Sequence, residues 1–184
     1  MIQFAARATL LLCLVSGFST LTLTGCGSAE AVESPTAELS SRHATLTSLD
    51  AEESRFLELI NDYRQNNGLE PLSLSNELTD ASHWMSEDMA VNDRFSHTDS
   101  QGQDPFVRMA NFMNTRNLIM GENIAAGYSR AEATFEQWRT SPGHNANMLN
   151  RSYQRIGIGR AHNTKSGYFW YWTTDFAQDD NSKP

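Results

Sequence analysis

One carboxylate inside an apolar run sets the tightest condition on how this chain folds. Between Asn117 and Ala126, Glu122 is surrounded by Ile119, Met120, Ile124 and Ala125. An ionised carboxylate is very costly to bury without a partner, so this segment must fold against a compensating group or open onto an aqueous cleft. Two histidines lie near in sequence and beside turn chemistry, His97 in Phe95-Ser96-His97-Thr98 and His144 just after Ser141-Pro142-Gly143. Two imidazoles and one carboxylate are what a polar or metal site is made from.

The chain has 184 residues, enough for one domain once its leading segment is set aside. Arg7, the apolar run Leu10 to Val15 and a small-residue stretch up to Cys26 have the layout of an export signal, too short for a membrane-spanning helix of about 20 apolar residues. Leu23-Thr24-Gly25-Cys26 resembles the bacterial lipobox, in which the cysteine is lipidated and becomes the first residue. The alternative is an ordinary secretory signal with an incidental Cys26. On the lipobox reading residues 1–25 are removed and the mature protein has no thiol, because Cys13 leaves with the signal. Gly27 rather than Asp after Cys26 points to the outer membrane or the cell surface. A domain without disulfides must then rest on its hydrophobic core. The net charge of −8 gives the surface no attraction for nucleic acid or anionic headgroups, so membrane attachment falls to the acyl chains at Cys26.

Residues 26–49 are rich in Ser, Thr, Ala and Glu and read as a flexible tether. An ordered domain is expected over 50–178, with a polar tail at 179–184. Asp50 and Glu53 form a capping box ahead of a stripe of Phe56, Leu59, Ile60 and Tyr63, and Gly68 suits the left-handed position after the helix. A second helix follows from about Ser75 to Asn92, burying Leu78, Ala81, Met85 and Met89. His83 on it reads as a histidine satisfied at the core edge. Asp104-Pro105 starts a third helix. Ser129 and Glu132 have the form of another capping box, starting a helix with Phe135 and Trp138 inward, and a short helix follows Ser141-Pro142-Gly143. Ile156-Gly157-Ile158-Gly159 alternates, with its glycines on one face, and pairs with the aromatic run Tyr168 to Phe176 as an antiparallel hairpin. Helices first and a hairpin last argue an α+β fold with a mainly antiparallel sheet.

His97, Glu122 and His144 come from three separate loops or element ends and could give zinc or another divalent metal three ligands, leaving one position for water. The spacing does not force convergence, since no His-Glu-x-x-His helix is present. Glu122 is also the candidate catalytic group, as general base of a metal-assisted hydrolase, although it cannot readily be ligand and base at once. Ser141 and Asn123 are secondary cleft candidates. A serine hydrolase built on Ser141 and His144 lacks a Gly-x-Ser-x-Gly elbow. Trp138, Trp170 and Trp172 read as core and strand packing before they read as a sugar-stacking platform.

Several blocks, in order, resemble the CAP family of cysteine-rich secretory, antigen 5 and pathogenesis-related proteins, also called the SCP domain. They are Leu59-Ile60-Asn61-Asp62-Tyr63-Arg64, Phe95-Ser96-His97-Thr98, Gly121-Glu122-Asn123-Ile124, the run Trp138 to Leu149 through Ser141-Pro142-Gly143-His144-Asn145, and Tyr171-Trp172-Thr173-Thr174-Asp175-Phe176-Ala177. The resemblance implies a three-layer α-β-α sandwich with a cleft holding two histidines and up to two acids. His97, Glu122 and His144 match by motif. Where many eukaryotic members carry a further acid, this chain has Ser141, and Glu136 lies elsewhere on the helix. The resemblance brings no agreed reaction. Together with the lipobox it points to a lipid-anchored binding protein, expected to be a monomer, taking a divalent metal or a small hydrophobic or peptide ligand, with a metal-assisted hydrolase as the alternative.

Overall fold

The first helix starts on the chemistry its sequence supplies. Asp50 Oδ1 accepts the backbone N–H groups of Glu52 and Glu53 at 2.8 and 2.9 Å, while Glu53 Oε2 accepts the Asp50 N–H at 2.8 Å. The structure, a computed structural model, describes residues 48–115 and 118–179. The export signal, Cys26, nearly all of the tether and the last five residues lie outside them. The elements are α1 (Ala51–Asn66), β1 (Ser73–Leu74), α2 (Asn76–Val91), α3 (Pro105–Met113), β2 (Met120–Ala126), α4 (Ala131–Thr140), α5 (Pro142–Met148), β3 (Arg155–His162) and β4 (Trp170–Ala177). No helix among the described residues is long and apolar enough to cross a membrane.

The four strands form one sheet in the order β1-β3-β4-β2. β3 and β4 are the expected hairpin, β2 runs antiparallel to β4, and the short β1 lies parallel to β3. Alternation along the strands decides which helices cover which face. Ile156, Ile158, Trp172, Phe176 and Ala125 pack with Phe56 and Ile60 of α1 and Phe135 and Trp138 of α4. On the other face Ile124 and Tyr171 pack with Met85 and Met89 of α2, and Met109 and Met113 of α3 close the corner with Leu78 and Ala177. The result is the three-layer α-β-α arrangement.

Gly157 and Gly159 face α2 and let its backbone settle directly on β3. A Cβ at Gly157 would stand 2.0 Å from the Leu78 carbonyl carbon, and one at Gly159 would stand 2.2 Å from the His83 nitrogen. Glu53 then ties the layers together. Its Oε1 accepts from the Arg160 backbone N–H at 2.7 Å and pairs with His83 Nε2 at 2.8 Å. His83 is thus a core-edge histidine, as the sequence suggested, paired through Nε2 while its buried Nδ1 has no hydrogen-bond partner among the described residues. Burial pulls its pKa down, but the Glu53 carboxylate and neighbouring acids outweigh this and leave it raised.

One local expectation fails. The Ser129–Glu132 capping box does not form, because α4 is preceded by Arg130 at the N-cap with no side-chain cap. The Ala131 N–H donates instead to Glu52 Oε2 of α1 at 2.8 Å, and Glu132 turns to Arg55 at 3.2 Å. A carboxylate delivered by helix packing replaces the local hydroxyl.

Gly159→Ala should therefore be costly although the residue lies in a strand. The new methyl meets helix backbone, which cannot rotate away, and about 3 kcal/mol or more should be lost. Urea denaturation would read this as a lower midpoint at unchanged slope.

Candidate functional site

Glu122 sits in mid-β2 with its side chain toward the layer of α2 and α3. Its partner comes from α3, which opens with Asp104 capping the Val107 N–H at 2.9 Å and Pro105 in its first turn. One turn on, the Arg108 guanidinium is buried and donates to Glu122 Oε2. The other guanidinium nitrogen lies 3.6 Å from Asp99 Oδ2 and donates to the His97 carbonyl at 3.4 Å. Glu122 Oε1 accepts from His97 Nδ1–H at 2.7 Å. The carboxylate is thus held from two sides, and it fixes one histidine ring with a proton on Nδ1.

A second carboxyl stands beside it. Asp175 of β4 is directly opposite Glu122 in the strand register and is fully buried, with Ser82 Oγ donating to its Oδ2 at 3.0 Å. Burial raises its pKa well above the usual carboxylate range, the Glu122 charge raises it further, and Arg108 and Ser82 oppose the shift without reversing it. Burial thus favours the protonated form of Asp175, and the Arg108 guanidinium donates to Glu122 rather than to Asp175.

His144 arrives from the other helical layer. Its Nδ1 lies 2.9 Å from Ser141 Oγ at the start of α5. Its carbonyl accepts from Asn123 Nδ2 at 3.1 Å. Asn147 Nδ2 bridges the Glu122 carbonyl at 3.1 Å and Asn123 Oδ1 at 2.9 Å, fastening α5 to β2. Behind α5 the buried Arg64 donates to the carbonyls of Met148, Asn150 and Tyr153 at 2.8, 3.0 and 3.2 Å. Burial holds the His144 pKa below its ordinary value, and the charge of His97 adds to the effect.

His97 and His144 line one open cleft of about 310 Å³, floored by Ile124, Ala125 and Ala126, with Phe95 and Tyr168 on its rim. Glu122 is not among the residues lining it. The expected three-ligand set is therefore not formed, since both Glu122 oxygens are committed to His97 and Arg108. Among the described residues no group of three or more His, Cys, Asp or Glu side chains is placed to hold a metal ion. The two imidazoles on their own do fit a metal. In each, Nδ1 has an oxygen partner and Nε2 remains, the arrangement in which a carboxylate or hydroxyl behind the ring orients a ligating histidine. Glu122 and Ser141 take that supporting place, and Asn123 anchors the loop of His144.

The remaining sequence candidates fall outside the cleft. Glu136 pairs on the surface with Arg139 at 2.9 Å. Trp138 and Trp172 are core residues, and Trp170 stacks on His162 at 4.4 Å with Arg160 over its ring at 4.7 Å. Sequence reasoning missed Arg108, Asp99 and Asp175. A signal for Arg108 existed, a lone charge amid Phe106, Val107, Met109 and Ala110, the mirror image of Glu122 in its own apolar run.

Two helical layers enclosing a four-stranded sheet, with two histidines at a strand edge, define the class of domain. The sequence profile of CAP, the cysteine-rich secretory protein family, matches residues 57–176, and the chain belongs to that family. It is 34% identical over 124 residues to the uncharacterized protein YkwD of Bacillus subtilis, covering 67% of this chain and 47% of that protein. It is 32% identical over 111 residues to the uncharacterized membrane protein YlbC of the same organism, covering 58% of this chain and 31% of that one. The chain thus spans less than half the length of either relative. Among solved structures, an extracellular SCP-domain protein from Bacillus anthracis superposes with a TM-score of 0.61 at 26% identity, over 70% of this chain and 40% of that one. An outer surface protein of Borrelia burgdorferi shares the fold, with a TM-score of 0.62 at 20% identity over 71% of this chain and 96% of that one.

Two outcomes follow from the buried charges. Arg108→Met should strand Glu122 and Asp99 and cost about 3–5 kcal/mol, read as a lower urea midpoint at pH 7. Asp175→Asn should do the opposite. A carboxyl whose folded pKa is raised binds its proton more tightly in the folded state, so it costs stability once the pH exceeds its unfolded value of about 3.8. The variant should gain on the parent as pH climbs from about 4 toward neutrality, and a stability difference that does not change across that range would refute the raised pKa of Asp175.

Proposed function

We propose that this CAP domain is exported, is anchored to the cell envelope through lipid at Cys26, and works as a binding module centred on the cleft between His97 and His144. One observation carries the reading: two imidazoles from opposite layers line the same cleft, each held at Nδ1 and each keeping Nε2. That pair suits a divalent transition metal as neutral ligands, and metal binding selects the His144 tautomer whose Nδ1–H donates to Ser141 Oγ. A metal bound there would supply a Lewis-acidic centre with positions left for water or a ligand group. The apolar floor and aromatic rim suit a small hydrophobic or peptide-like ligand beside it. Export is supported by the signal-like start of the chain and by the Bacillus anthracis protein, which is described as extracellular. The acidic surface argues against nucleic acid, and a monomer suffices because both histidines come from one chain.

The metal-assisted hydrolase is the weaker reading. Glu122 would have to leave Arg108 and His97 to act as general base, and its side chain is only 2% exposed. Ser141 and His144 do meet, but Ser141 spends its hydroxyl on the ring nitrogen that a third group would have to orient in a catalytic triad.

The test is zinc titration calorimetry on the exported chain carrying Cys26→Ser, beside a His97→Ala/His144→Ala variant. The expected result is micromolar binding in the parent and none in the variant. Absence of binding in the parent would remove the metal and leave the cleft as an organic-ligand site.

A further inference from the structure

β2 is the outermost strand of the sheet on one side, and its hydrogen-bonding parity can be read residue by residue. Beyond its ends the Gly127 N–H donates to the Trp170 carbonyl at 2.9 Å and the Gln178 N–H to the Ile119 carbonyl at 2.8 Å. With the register Gly121↔Phe176, Asn123↔Thr174 and Ala125↔Trp172, the odd-numbered residues form the closely spaced pairs with β4. The N–H and C=O groups of Glu122, Ile124 and Ala126 therefore point away from the sheet. Two of those carbonyls are occupied by side chains, Glu122 by Asn147 at 3.1 Å and Ile124 by Trp138 Nε1 at 3.2 Å. The N–H groups of Glu122 and Ile124 and both backbone groups of Ala126 have no hydrogen-bond partner among the described residues. Buried or half-buried backbone groups in native proteins are almost always paired, and Ile124 is only 3% exposed.

Three of these open groups, those of Ile124 and Ala126, lie on the floor of the cleft, between the two histidines. Side chains of even-numbered β2 residues face the α2 and α3 layer, from which Glu122 reaches His97. Those of odd-numbered residues face the α1, α4 and α5 layer, where Asn123 holds His144. This edge of β2 is thus the seam between layers, with one imidazole on each flank. Water or a small round ligand can satisfy single donors, but donor, donor and acceptor in strand spacing match an extended backbone. Asn147 and Trp138 occupy the carbonyls on the Glu122 side, so only a short ladder fits. The cleft walls carry no carboxylate and present Phe95 and Tyr168 on one flank, with Gln137 and His144 on the other.

We propose that the cleft captures a short extended peptide segment by β-strand addition to Ile124–Ala126, so that the peptide backbone runs between His97 and His144. The proposal rests on the cleft-binding reading above and names its ligand class. Alternate side chains of the guest meet different walls, apolar against Phe95 and Tyr168 and polar against Gln137 and His144, so an alternating apolar and polar sequence is preferred. An acyl chain lacks the paired donor and acceptor and gains nothing from Ala126.

The test is a titration of the 15N-labelled exported chain, carrying Cys26→Ser, with acetyl-Leu-Ser-Leu-Ser-amide, followed by amide chemical shifts. Saturable shifts at the Ile124 and Ala126 amides are expected. Affinity should fall about tenfold or more, the loss of one well-made hydrogen bond, for the backbone N-methylated peptide. Ala126→Pro should have the same effect, since it removes an outward N–H from an edge strand without touching the β4 ladder. Equal binding of the N-methylated peptide, or shifts that leave both amides unmoved, would overturn strand addition, and this arm requires no variant to fold. Zinc binding that persists while the peptide gives no shift would sink the peptide proposal alone. Failure of both zinc and peptide would sink the cleft reading with it.

Discussion

The ion pair between Arg108 and Glu122 is the contact on which the functional end of the molecule depends. Glu122 cannot occupy mid-strand in β2 unless a positive charge meets it, and that charge arrives on α3, docked against the corner of α2 and β4. The start of α3 at Asp104-Pro105 therefore sets the registration of a strand more than a dozen residues away. A buried pair of this kind adds little net stability over apolar packing, but losing one member is severe. What it provides is position. Glu122, held by the guanidinium, holds the ring of His97, while burial keeps the proton of Asp175 beside it tightly bound.

The cleft itself is a product of sheet order. Because β2 is the last strand on its side, the two helical layers come together there with no further strand between them, and each contributes a histidine to the gap. Everything that fixes the layers also fixes the distance across that gap. The glycines of β3 seat α2, Glu53 joins α1 to α2 and β3, and Arg64 pins the chain around the end of α5 by gathering three carbonyls. Residues remote from the histidines are in this sense part of their geometry.

Much of the fold was legible because local chemistry and final structure agree. The Asp50–Glu53 box, the helix stop at Gly68, the Asp104-Pro105 start and the β3–β4 hairpin all formed where the residues asked for them. The Ser129–Glu132 box did not, because its helix start met Glu52 from another element, and no local pattern announces a tertiary cap. The site was legible in part. Glu122 announced that it needed a partner, and His97 and His144 shared a cleft as the family resemblance implied. The partner of Glu122 was missed because Arg108 sits on a different element, and although its apolar setting marks it as a charge needing a partner, nothing local says that the partner is Glu122. Taking Glu122 as a ligand was the error this produced. A carboxylate that looked available in the sequence is spent on orienting the residue in front of it.

The core carries sulfur without thiols. Both cysteines of the chain precede the described residues, whereas Met85, Met89, Met109, Met113 and Met148 are all between 0% and 2% exposed and line both faces of the sheet. Thioethers fill irregular gaps well, but oxidation turns each into a polar sulfoxide that no longer fits the space. For a domain whose redox-active cysteines are absent, the surrounding reducing or oxidising balance has no bond to make or break in the folded state. The exposure of those five methionines to peroxide is instead governed by how often the layers part, so damage there accumulates as a record of breathing motions.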